Sequence, residues 1–386
     1  MARDWRTRLI HSEARAPAGF RSMTTPVHRG STTFFETAEE VCDGSDQDNP
    51  YRYGIYGTPT TLELAARMAE LEGGTDAIIV PSGLASISLV WLALTQAGGH
   101  VLVPENAYGP NPLLAHKLMS RFGVETQTYK HDIGDGIAWL IRDNTQLIWT
   151  ETPGSVTMEV QDVKGIAEAA RDRNVPVALD NTYGAGVFYN GFEHGADIVI
   201  QALTKYVGGH SDLLLGSVTV RDAALLARLR DAYNWLGLSV SPDECSLALR
   251  GFKTLAVRLD HLERATLEVA RWCAEQPEIE QVLHPALPGC PGHEIWKRDF
   301  SGSASIFSIV FCDGFSRERL LAFVDRLELF RIGFSWGGAG SLVMPYFGPN
   351  RATKLYGERL VRFNIGLESP ADLVADLQQG LAALRD

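Results

Sequence analysis

Between about residue 60 and residue 200, short apolar runs alternate with stretches of helical character, and this alternation constrains the fold more than any other feature of the sequence. The apolar runs lie at residues 77–80, 100–103, 146–149, 175–179 and 198–200. Strands buried on both faces of a parallel sheet form such continuous runs, because crossover helices cover both sides of the sheet. The pattern therefore predicts an α/β domain with a mainly parallel sheet wrapped by helices.

The first helix of this series has recognisable end signals. A capping box formed by Thr60 and Glu63 is expected to open it, because the two side chains can satisfy each other's backbone N–H groups. Apolar residues then recur at helical spacing until the glycine pair at residues 73–74, where we expect the helix to end.

The pattern changes after Leu249. A charged helical stretch over residues 253–276 is followed by strand candidates at residues 305–311 and 361–365. This second pattern predicts a smaller α+β domain.

Size and charge limit the partners of the chain. Its 386 residues are 45% hydrophobic and 21% charged, which is typical of a globular enzyme with a large core. The net charge of −12 disfavours nonspecific attraction to nucleic acid or to anionic membranes, so we expect neither as a partner. Because no apolar run is long enough to span a bilayer and the opening residues lack the apolar segment of a signal peptide, we expect a cytoplasmic protein.

The cysteines indicate neither a disulfide framework nor a metal centre. The sequence has five cysteines and no C-x-x-C pair. Cys290 and His293 have a ligand-like spacing, but no second pair of ligands lies near them in the sequence, so we expect no bound metal.

Two polar side chains follow neighbouring apolar runs. Lys205 comes shortly after the run at residues 198–200, and Asp180 ends the run 25 residues before the lysine. Ligands bind at the carboxyl ends of strands in α/β sheets, so an amine and an acid there suit pyridoxal 5'-phosphate, with the lysine as Schiff base and the carboxylate on the ring nitrogen. Taken singly, a solvated lysine and an aspartate that caps a helix or forms a turn remain open alternatives.

Motifs along nearly the whole chain extend this interpretation. They lie at residues 7–11, 26–34, 53–60, 81–84, 107–108, 151–160, 180–182, 198–212, 334–338 and 361–366. In their order and spacing they resemble the Cys/Met-metabolism family of pyridoxal-phosphate-dependent enzymes. Residues 151–160, together with Ser335 and Trp336, are similar to the β-lyase branch of that family.

The resemblance implies an architecture. It implies an aspartate-aminotransferase-like fold, known as fold type I, with a mainly parallel cofactor domain and a smaller α+β domain. The implied limits are an N-terminal arm over residues 1–58, a large domain over residues 59–248 and a small domain over residues 249–386. It also implies a homotetramer whose active sites are shared between subunits.

The resemblance further assigns the cofactor's phosphate to a defined set of residues. It implies contacts from Gly83, Leu84 and Thr204, and from Tyr53 of a neighbouring subunit. Two positions depart from the family pattern, because Ala202 stands where serine is usual and Ile55 stands where arginine is common. Arg52 is a possible substitute for that arginine.

The remaining implied roles concern the ring and the substrate. Tyr108 is similar to the tyrosine that stacks on the cofactor ring, and Arg362 to the arginine that binds the substrate α-carboxylate. Ser335, Trp336 and Ser155 are expected on the same side, with the substrate being a small amino acid.

The resemblance implies cleavage of cystathionine or related cysteine S-conjugates to a thiol, pyruvate and ammonia, with Lys205 as general base and acid. A γ-acting relative, such as cystathionine γ-lyase or γ-synthase or methionine γ-lyase, remains the alternative enzyme, although such members commonly carry asparagine at the position of Ser155. A protein of this fold that acts mainly by binding a transcription regulator also remains open. A nicotinamide dehydrogenase is disfavoured, because no G-x-G-x-x-G follows a strand.

Overall fold

The computed structural model describes residues 4–10, 22–42 and 51–385, so His11 of the first motif lies outside the described residues. Within the described ranges the larger sheet has seven strands. In chain order they are β1 Asp76–Val80, β2 His100–Pro104, β3 Glu125–Tyr129, β4 Thr145–Glu151, β5 Val177–Asp180, β6 Ile198–Ala202 and β7 Gly216–Val220.

The larger sheet is mainly parallel, which confirms the prediction from the apolar runs. Its strands lie in the order β1-β7-β6-β5-β4-β2-β3. The pairings among β2 to β6 are parallel, whereas β7 runs antiparallel to both of its neighbours. Each of the five predicted runs forms one of these strands.

The smaller sheet has five strands within the described residues and confirms the predicted α+β pattern. These strands are β8 Ile279–Leu283, β9 Ile306–Phe311, β10 Arg331–Ile332, β11 Leu342–Pro345 and β12 Leu360–Asn364. They lie in the order β10-β11-β12-β9-β8, and all pairings except β10 with β11 are antiparallel.

Helices cover both sheets. They are α1 Trp5–Ile10, α2 Ala38–Cys42, α3 Pro59–Glu72, α4 Gly83–Leu94, α5 Pro110–Lys117, α6 Val163–Arg171, α7 Ala223–Leu236, α8 Pro242–Lys253, α9 Leu255–Ala274, α10 His293–Asp299, α11 Arg317–Arg326, α12 Arg351–Tyr356 and α13 Pro370–Arg385, with short 3₁₀ turns at Met119–Phe122 and Gly134–Trp139. Across the described ranges, every helix falls short of the length and apolar character that a membrane span requires. The implied limit between residues 248 and 249 falls inside α8, and the domain limits stay a prediction.

The start of α3 corrects the sequence prediction. Thr58 caps this helix, not Thr60, because its side chain accepts the Thr61 N–H and the Thr61 side chain accepts the Thr58 N–H in return. Pro59 occupies the first helical position, where its fixed φ and missing N–H are tolerated, so the capping residue must precede it. Thr60 instead accepts the His28 N–H at 2.8 Å and ties the N-terminal segment to the helix.

In the larger sheet, the sequence analysis missed two strands for different reasons, and in the smaller sheet it also missed β8, β10 and β11. β3 at the sheet edge has a polar sequence with partly exposed side chains, so it lacks the apolar run that was sought. β7 is fully buried, but its two valines alternate with glycine, serine and threonine and do not form a continuous apolar run.

The parallel strands bring functional candidates to one edge of the larger sheet. Asp180, the last residue of β5, pairs in register with Glu151 of β4 on one side and with Ile200 of β6 on the other. Because β4, β5 and β6 run in the same direction, their carboxyl ends meet at this edge, where α/β proteins bind their ligands.

Candidate active site

A pocket of about 170 Å³, partly open to solvent, lies at the carboxyl edge of β4, β5 and β6. The sequence-predicted residues that line it are Gly83, Leu84, Tyr108, Ser155, Asp180, Thr204, Lys205 and Trp336. Long stretches of sequence separate these residues, and the fold brings them to one place.

Lys205 lies in the loop after β6 with its amine directed at the smaller sheet's side of the pocket. Its Nζ atom donates a hydrogen bond of 2.6 Å to Oγ of Ser335 and lies 5.3 Å from the centre of the Trp336 ring. Burial, with a smaller contribution from the Arg362 cation, lowers the pKa of Lys205 to about 8, against the opposing effect of Asp180. Such an amine has an appreciable neutral fraction near neutral pH, which a nucleophilic lysine needs.

Asp180 is fixed at the end of β5 by its own turn. Its Oδ1 atom accepts hydrogen bonds from the Thr182 backbone N–H at 3.0 Å and from the Thr182 hydroxyl at 2.6 Å. Burial raises the pKa of Asp180, whereas the two bonds from Thr182 and the nearby Lys205 lower it. A buried acid faced by an amine is suited to hold a proton on a ring nitrogen.

The start of α4 approaches the end of β6 without an intervening side chain. A Cβ atom on Gly83 would lie 2.6 Å from Cβ of Ala202, so glycine is required for this approach. The Thr204 hydroxyl exchanges hydrogen bonds of 3.2 Å with the backbone of Leu215, and Leu84 lines the same pocket. A helix N-terminus beside small side chains is a setting in which proteins bind phosphate.

Arg362 lies on β12 with only 5% of its surface exposed. Its Nη1 atom donates to the carbonyl of Ser155 at 3.1 Å and its Nη2 atom to the carbonyl of Ser335 at 3.3 Å. The guanidinium carbon lies 5.3 Å from the centre of the Tyr346 ring, and burial lowers the pKa of Arg362. These contacts connect the arginine to both Ser155 and Ser335, two of the residues that the sequence assigned to the substrate.

The loop of Ser335 and Trp336 passes close to Lys205. Ser335 has φ of 87°, in the left-handed region that non-glycine residues rarely adopt. Trp336 is buried and packs on Tyr206 with 5.3 Å between ring centres. A Cβ atom on Gly337 would lie 3.1 Å from the Lys205 backbone, so this loop leaves no room for a larger residue.

Glu151 is a pocket residue to which the sequence analysis gave no role. Its Oε2 atom accepts the Tyr108 N–H at 2.6 Å, and its carboxyl also accepts the backbone N–H of Ser155. Burial and the neighbouring Asp180 raise the pKa of Glu151 well above its usual range. Its position as the last residue of β4, beside Asp180, was a signal that could have identified it.

Tyr108 is half exposed within the pocket. Burial, together with the nearby Asp180 and Glu151 carboxyls, raises the pKa of its phenol, so this side chain stays neutral at physiological pH. Its ring is therefore available as an uncharged aromatic face.

Arg52 and Tyr53 do not line this pocket in their own chain. Arg52 lines a different cavity, together with Arg230 and Tyr233, and its guanidinium carbon lies 4.2 Å from the centre of the Tyr56 ring. Tyr53 is half exposed. Their implied role in the site of a neighbouring subunit stays a prediction.

Within the described ranges, no group of three or more His, Cys, Asp or Glu side chains is arranged to hold a metal ion. The two residues with ligand-like spacing already bond to backbone carbonyls, Cys290 to Met158 and His293 to Pro285.

The residues of the pocket fit pyridoxal 5'-phosphate. The donor set pairs an amine of lowered pKa with a buried carboxyl, which are the two groups that the aldehyde and the ring nitrogen require. Gly83 has no side chain and lies at the N-terminus of α4, so a phosphate can approach the backbone N–H groups there.

Comparison with known proteins gives an independent result. Residues 6–382 match the family model described as Cys/Met metabolism PLP-dependent enzyme. The chain belongs to this family. Its cofactor is therefore pyridoxal 5'-phosphate, as the sequence analysis predicted.

Relatives within the family match over nearly the whole chain. A putative cystathionine beta-lyase of Rhizobium johnstonii is 40% identical over 93% of this chain and 91% of its own length. The cystathionine beta-lyase of Bordetella avium is 41% identical over 94% of this chain and 93% of its own length. A crystal structure of cystathionine gamma synthase from Xanthomonas oryzae pv. oryzae, in complex with aminoacrylate and cysteine, is 30% identical over 100% of this chain and 99% of its own, with a TM-score of 0.91. This likeness confirms the predicted fold class.

Proposed function

We propose that this chain is a carbon–sulfur β-lyase that cleaves L-cystathionine, or related cysteine S-conjugates, to a thiol such as homocysteine, pyruvate and ammonia. The observation that carries this proposal is the hydrogen bond from Lys205 to Ser335 inside a pocket that also holds Asp180. The proposal is supported by the lowered pKa of Lys205, which suits a base, and by the bond from Arg362 to the Ser335 carbonyl on the substrate side.

Several residues would hold the cofactor. When bound, pyridoxal 5'-phosphate supplies an electron-accepting ring that stabilises negative charge at the substrate Cα. Lys205 would hold it covalently through Nζ, and Asp180 would hold the proton on its ring nitrogen. Tyr108 would stack on its ring, and Gly83, Leu84 and Thr204 would bind its phosphate, with Tyr53 and Arg52 of another subunit.

Arg362 orients the substrate. A planar guanidinium can bind the α-carboxylate through two parallel hydrogen bonds, and such binding fixes which bond at Cα is broken. The contacts with the Ser155 and Ser335 carbonyls and with the Tyr346 ring hold the guanidinium in place before substrate arrives. Trp336 then covers the same side of the pocket.

Lys205 moves the protons. Once the substrate's α-amino group has displaced Lys205 from the cofactor, the freed neutral amine takes the proton from Cα as general base, after which the Cβ–sulfur bond breaks and the electron pair leaves on sulfur. The resulting ammonium returns that proton to the sulfur, so the thiol leaves in neutral form. Water hydrolyses the remaining three-carbon unit to pyruvate and ammonia.

Two features support β-cleavage over γ-cleavage. Ser155 stands where γ-acting members commonly carry asparagine, and Trp336 stands where those members lack tryptophan. The Bordetella avium relative of 41% identity is named cystathionine beta-lyase, and the Rhizobium johnstonii relative of 40% identity is named putative cystathionine beta-lyase. A γ-acting enzyme is the second candidate, because the solved cystathionine gamma synthase shares the fold over the full chain.

The proposal includes a homotetramer in the cytoplasm. In it, the loop with Arg52 and Tyr53 would complete the site of a neighbouring subunit, which explains why neither residue lines the pocket of its own chain. A reducing compartment suits five cysteines that show no disulfide-like spacing.

Product analysis tests the proposed reaction. Purified protein loaded with cofactor is incubated with L-cystathionine, and the 2-oxo acid formed is identified. Pyruvate with homocysteine is expected. Formation of 2-oxobutyrate with cysteine would instead assign γ-cleavage. A Lys205→Ala variant serves as the control and is expected to form neither.

A further inference from the structure

Glu72 is a buried carboxylic acid on the face of the larger sheet opposite the pocket. It is the last residue of α3 and only 1% of its surface is exposed. Successive side chains of a strand point to opposite faces, so Asp180 and Ala202 face the pocket while Asn181 and Gln201 face away from it. Glu72 lies against this second pair.

The carboxylate of Glu72 joins the ends of β5 and β6. Its Oε2 atom accepts a hydrogen bond of 2.9 Å from Nδ2 of Asn181, and its Oε1 atom accepts one from Nε2 of Gln201. Asn181 follows Asp180 directly, and Gln201 lies four positions before Lys205. Each oxygen of one buried acid therefore holds a strand end that carries a principal residue of the site.

The partners of Glu72 are themselves held in place. Asn181 uses its second amide hydrogen on the Tyr189 carbonyl at 2.9 Å, and its backbone N–H bonds to Ile200 at 2.9 Å. Rotation of the Asn181 amide would break the first of these bonds. A Cβ atom on Gly186 would lie 3.2 Å from Nε2 of Gln201, so the backbone also closes over the cluster.

Asp180 is the titratable group that acts on Glu72. Burial raises the pKa of Glu72 to about 7, the two amide donors lower it, and the nearby Asp180 adds to the rise. The interaction is mutual, because two acids in a buried setting each disfavour the other's negative charge. The charge on Glu72 therefore bears on the proton affinity of Asp180.

We propose that Glu72 is a positioning residue, whose carboxylate holds the ends of β5 and β6 together and so places Asp180 and Lys205 against the bound cofactor. The inference rests on the proposed cofactor site but not on the identity of the substrate. It is therefore tested by cofactor binding and not by turnover.

The main test compares Glu72→Gln with Glu263→Gln. Glu263 is a partly buried acid on α9 that accepts the Ser303 N–H at 2.9 Å and does not line the pocket. A glutamine at position 72 has an NH₂ group in place of one carboxylate oxygen. This group would face the amide donor of either Asn181 or Gln201, so one of the two hydrogen bonds is lost. We expect the dissociation constant of pyridoxal 5'-phosphate to rise about tenfold, and the pH at which the bound cofactor changes absorbance to shift. Glu263→Gln is expected to change neither.

A compensating pair makes the test independent of folding defects. In Glu72→Gln with Gln201→Glu, the donor and the acceptor exchange places and Asn181 keeps an acceptor, so cofactor affinity should recover. Gln201→Leu removes one donor alone and should give a weaker form of the Glu72→Gln effect.

Unchanged affinity and an unchanged absorbance profile in Glu72→Gln would overturn the inference, even with a lower unfolding temperature, as would a double variant no better than the single one. Wild-type protein that binds no cofactor would contradict the proposed site instead.

Discussion

Nζ of Lys205 and Oγ of Ser335 lie 2.6 Å apart, although 130 positions separate the two residues in the sequence. Lys205 follows β6 of the larger sheet, and Ser335 lies in the loop between β10 and β11 of the smaller sheet. The position of the Lys205 amine therefore depends on contact between a loop of the larger sheet and a loop of the smaller sheet. A hydroxyl that accepts from the ammonium favours the charged form of the lysine, so Ser335 opposes the effect of burial on its pKa.

Comparison of Ser335→Ala with Ser335→Gly distinguishes the effect of the Ser335 hydroxyl from the effect of the backbone conformation at this position. Both remove the hydrogen-bond acceptor, so both should lower the pKa of Lys205 further. The pH midpoint for capture of pyridoxal 5'-phosphate by the apoprotein measures this shift. Because φ of 87° disfavours alanine and suits glycine, Ser335→Gly should be the more stable of the two by roughly 1 kcal/mol. A midpoint equal to that of the wild type in both variants would refute the role of the hydroxyl.

Lys205→Met should stabilise the apoprotein at neutral pH. The folded chain lowers the pKa of Lys205 to about 8 from 10.5, so the cost of burying the charge is full below pH 8 and is relieved as the pH rises towards 10.5. We expect a gain on the order of 3 kcal/mol in the free energy of unfolding at pH 7, which disappears near pH 10.5. Urea unfolding across this range measures it.

Lys297→Met is the control for this prediction, because Lys297 is an exposed residue of α10. It should give no comparable gain at any pH. A gain in Lys205→Met that is the same at pH 7 and pH 10.5 would mean that packing, and not the charge, is responsible.

The sequence predicted the residues whose chemistry follows from their place at a strand end. Lys205 and Asp180 could be predicted in this way to lie at one edge, and both line the pocket, because an apolar run reveals the strand and parallel strands share a ligand-binding edge. Glu151 ends β4 in the same manner, but its bonds go to the backbone N–H groups of Tyr108 and Ser155, and a sequence does not show which backbone N–H groups a carboxylate meets.

Glu72 illustrates what could not be predicted. Its partners Asn181 and Gln201 lie 109 and 129 positions away, and nothing local distinguishes it from an exposed glutamate at the end of a helix. The prediction of the start of α3 was wrong for a local reason. Pro59 occupies the first helical position, so the capping residue is Thr58 and not Thr60.

Arg52→Ala should raise the dissociation constant of pyridoxal 5'-phosphate at least a few fold. The reason is that Ile55 leaves the phosphate without the arginine common in the family, and a charge-assisted hydrogen bond contributes ~1.5–3 kcal/mol. Equilibrium titration of the apoprotein measures this change.

Co-expression tests whether Arg52 acts across subunits. In mixed oligomers of Arg52→Ala and Lys205→Ala chains, some shared sites combine the intact Lys205 of an Arg52→Ala chain with the intact Arg52 of a Lys205→Ala chain. Tight binding and lyase activity should therefore return in part. Mixed oligomers that show no recovery would place Arg52 outside the neighbouring site.

Gly340→Glu should increase selectivity for cystathionine. Relatives can place acids near the far end of this substrate, whereas this chain has Leu113 and Gly340 at the corresponding positions. A Cβ atom on Gly340 would meet no atom within 4 Å, so a side chain fits. For the wild type we expect kcat/KM values for cystathionine, cystine and S-methylcysteine within about tenfold, a difference of ~1.4 kcal/mol.

Gly340→Gln is the matched control, because it adds similar bulk without charge. Only the glutamate should raise the preference for cystathionine, whose distal ammonium it can bind. A wild-type preference of a thousandfold or more, or equal effects of the two substitutions, would show that another residue recognises the distal amino acid.

The most direct test of the account locates the lysine that carries the cofactor. Protein loaded with pyridoxal 5'-phosphate should be yellow, and borohydride reduction followed by peptide mass mapping should place the pyridoxyl group on the peptide that contains Lys205. The Lys205→Ala variant should retain some cofactor without yielding a labelled peptide. A pyridoxyl group on any other lysine of the wild-type protein would contradict the account.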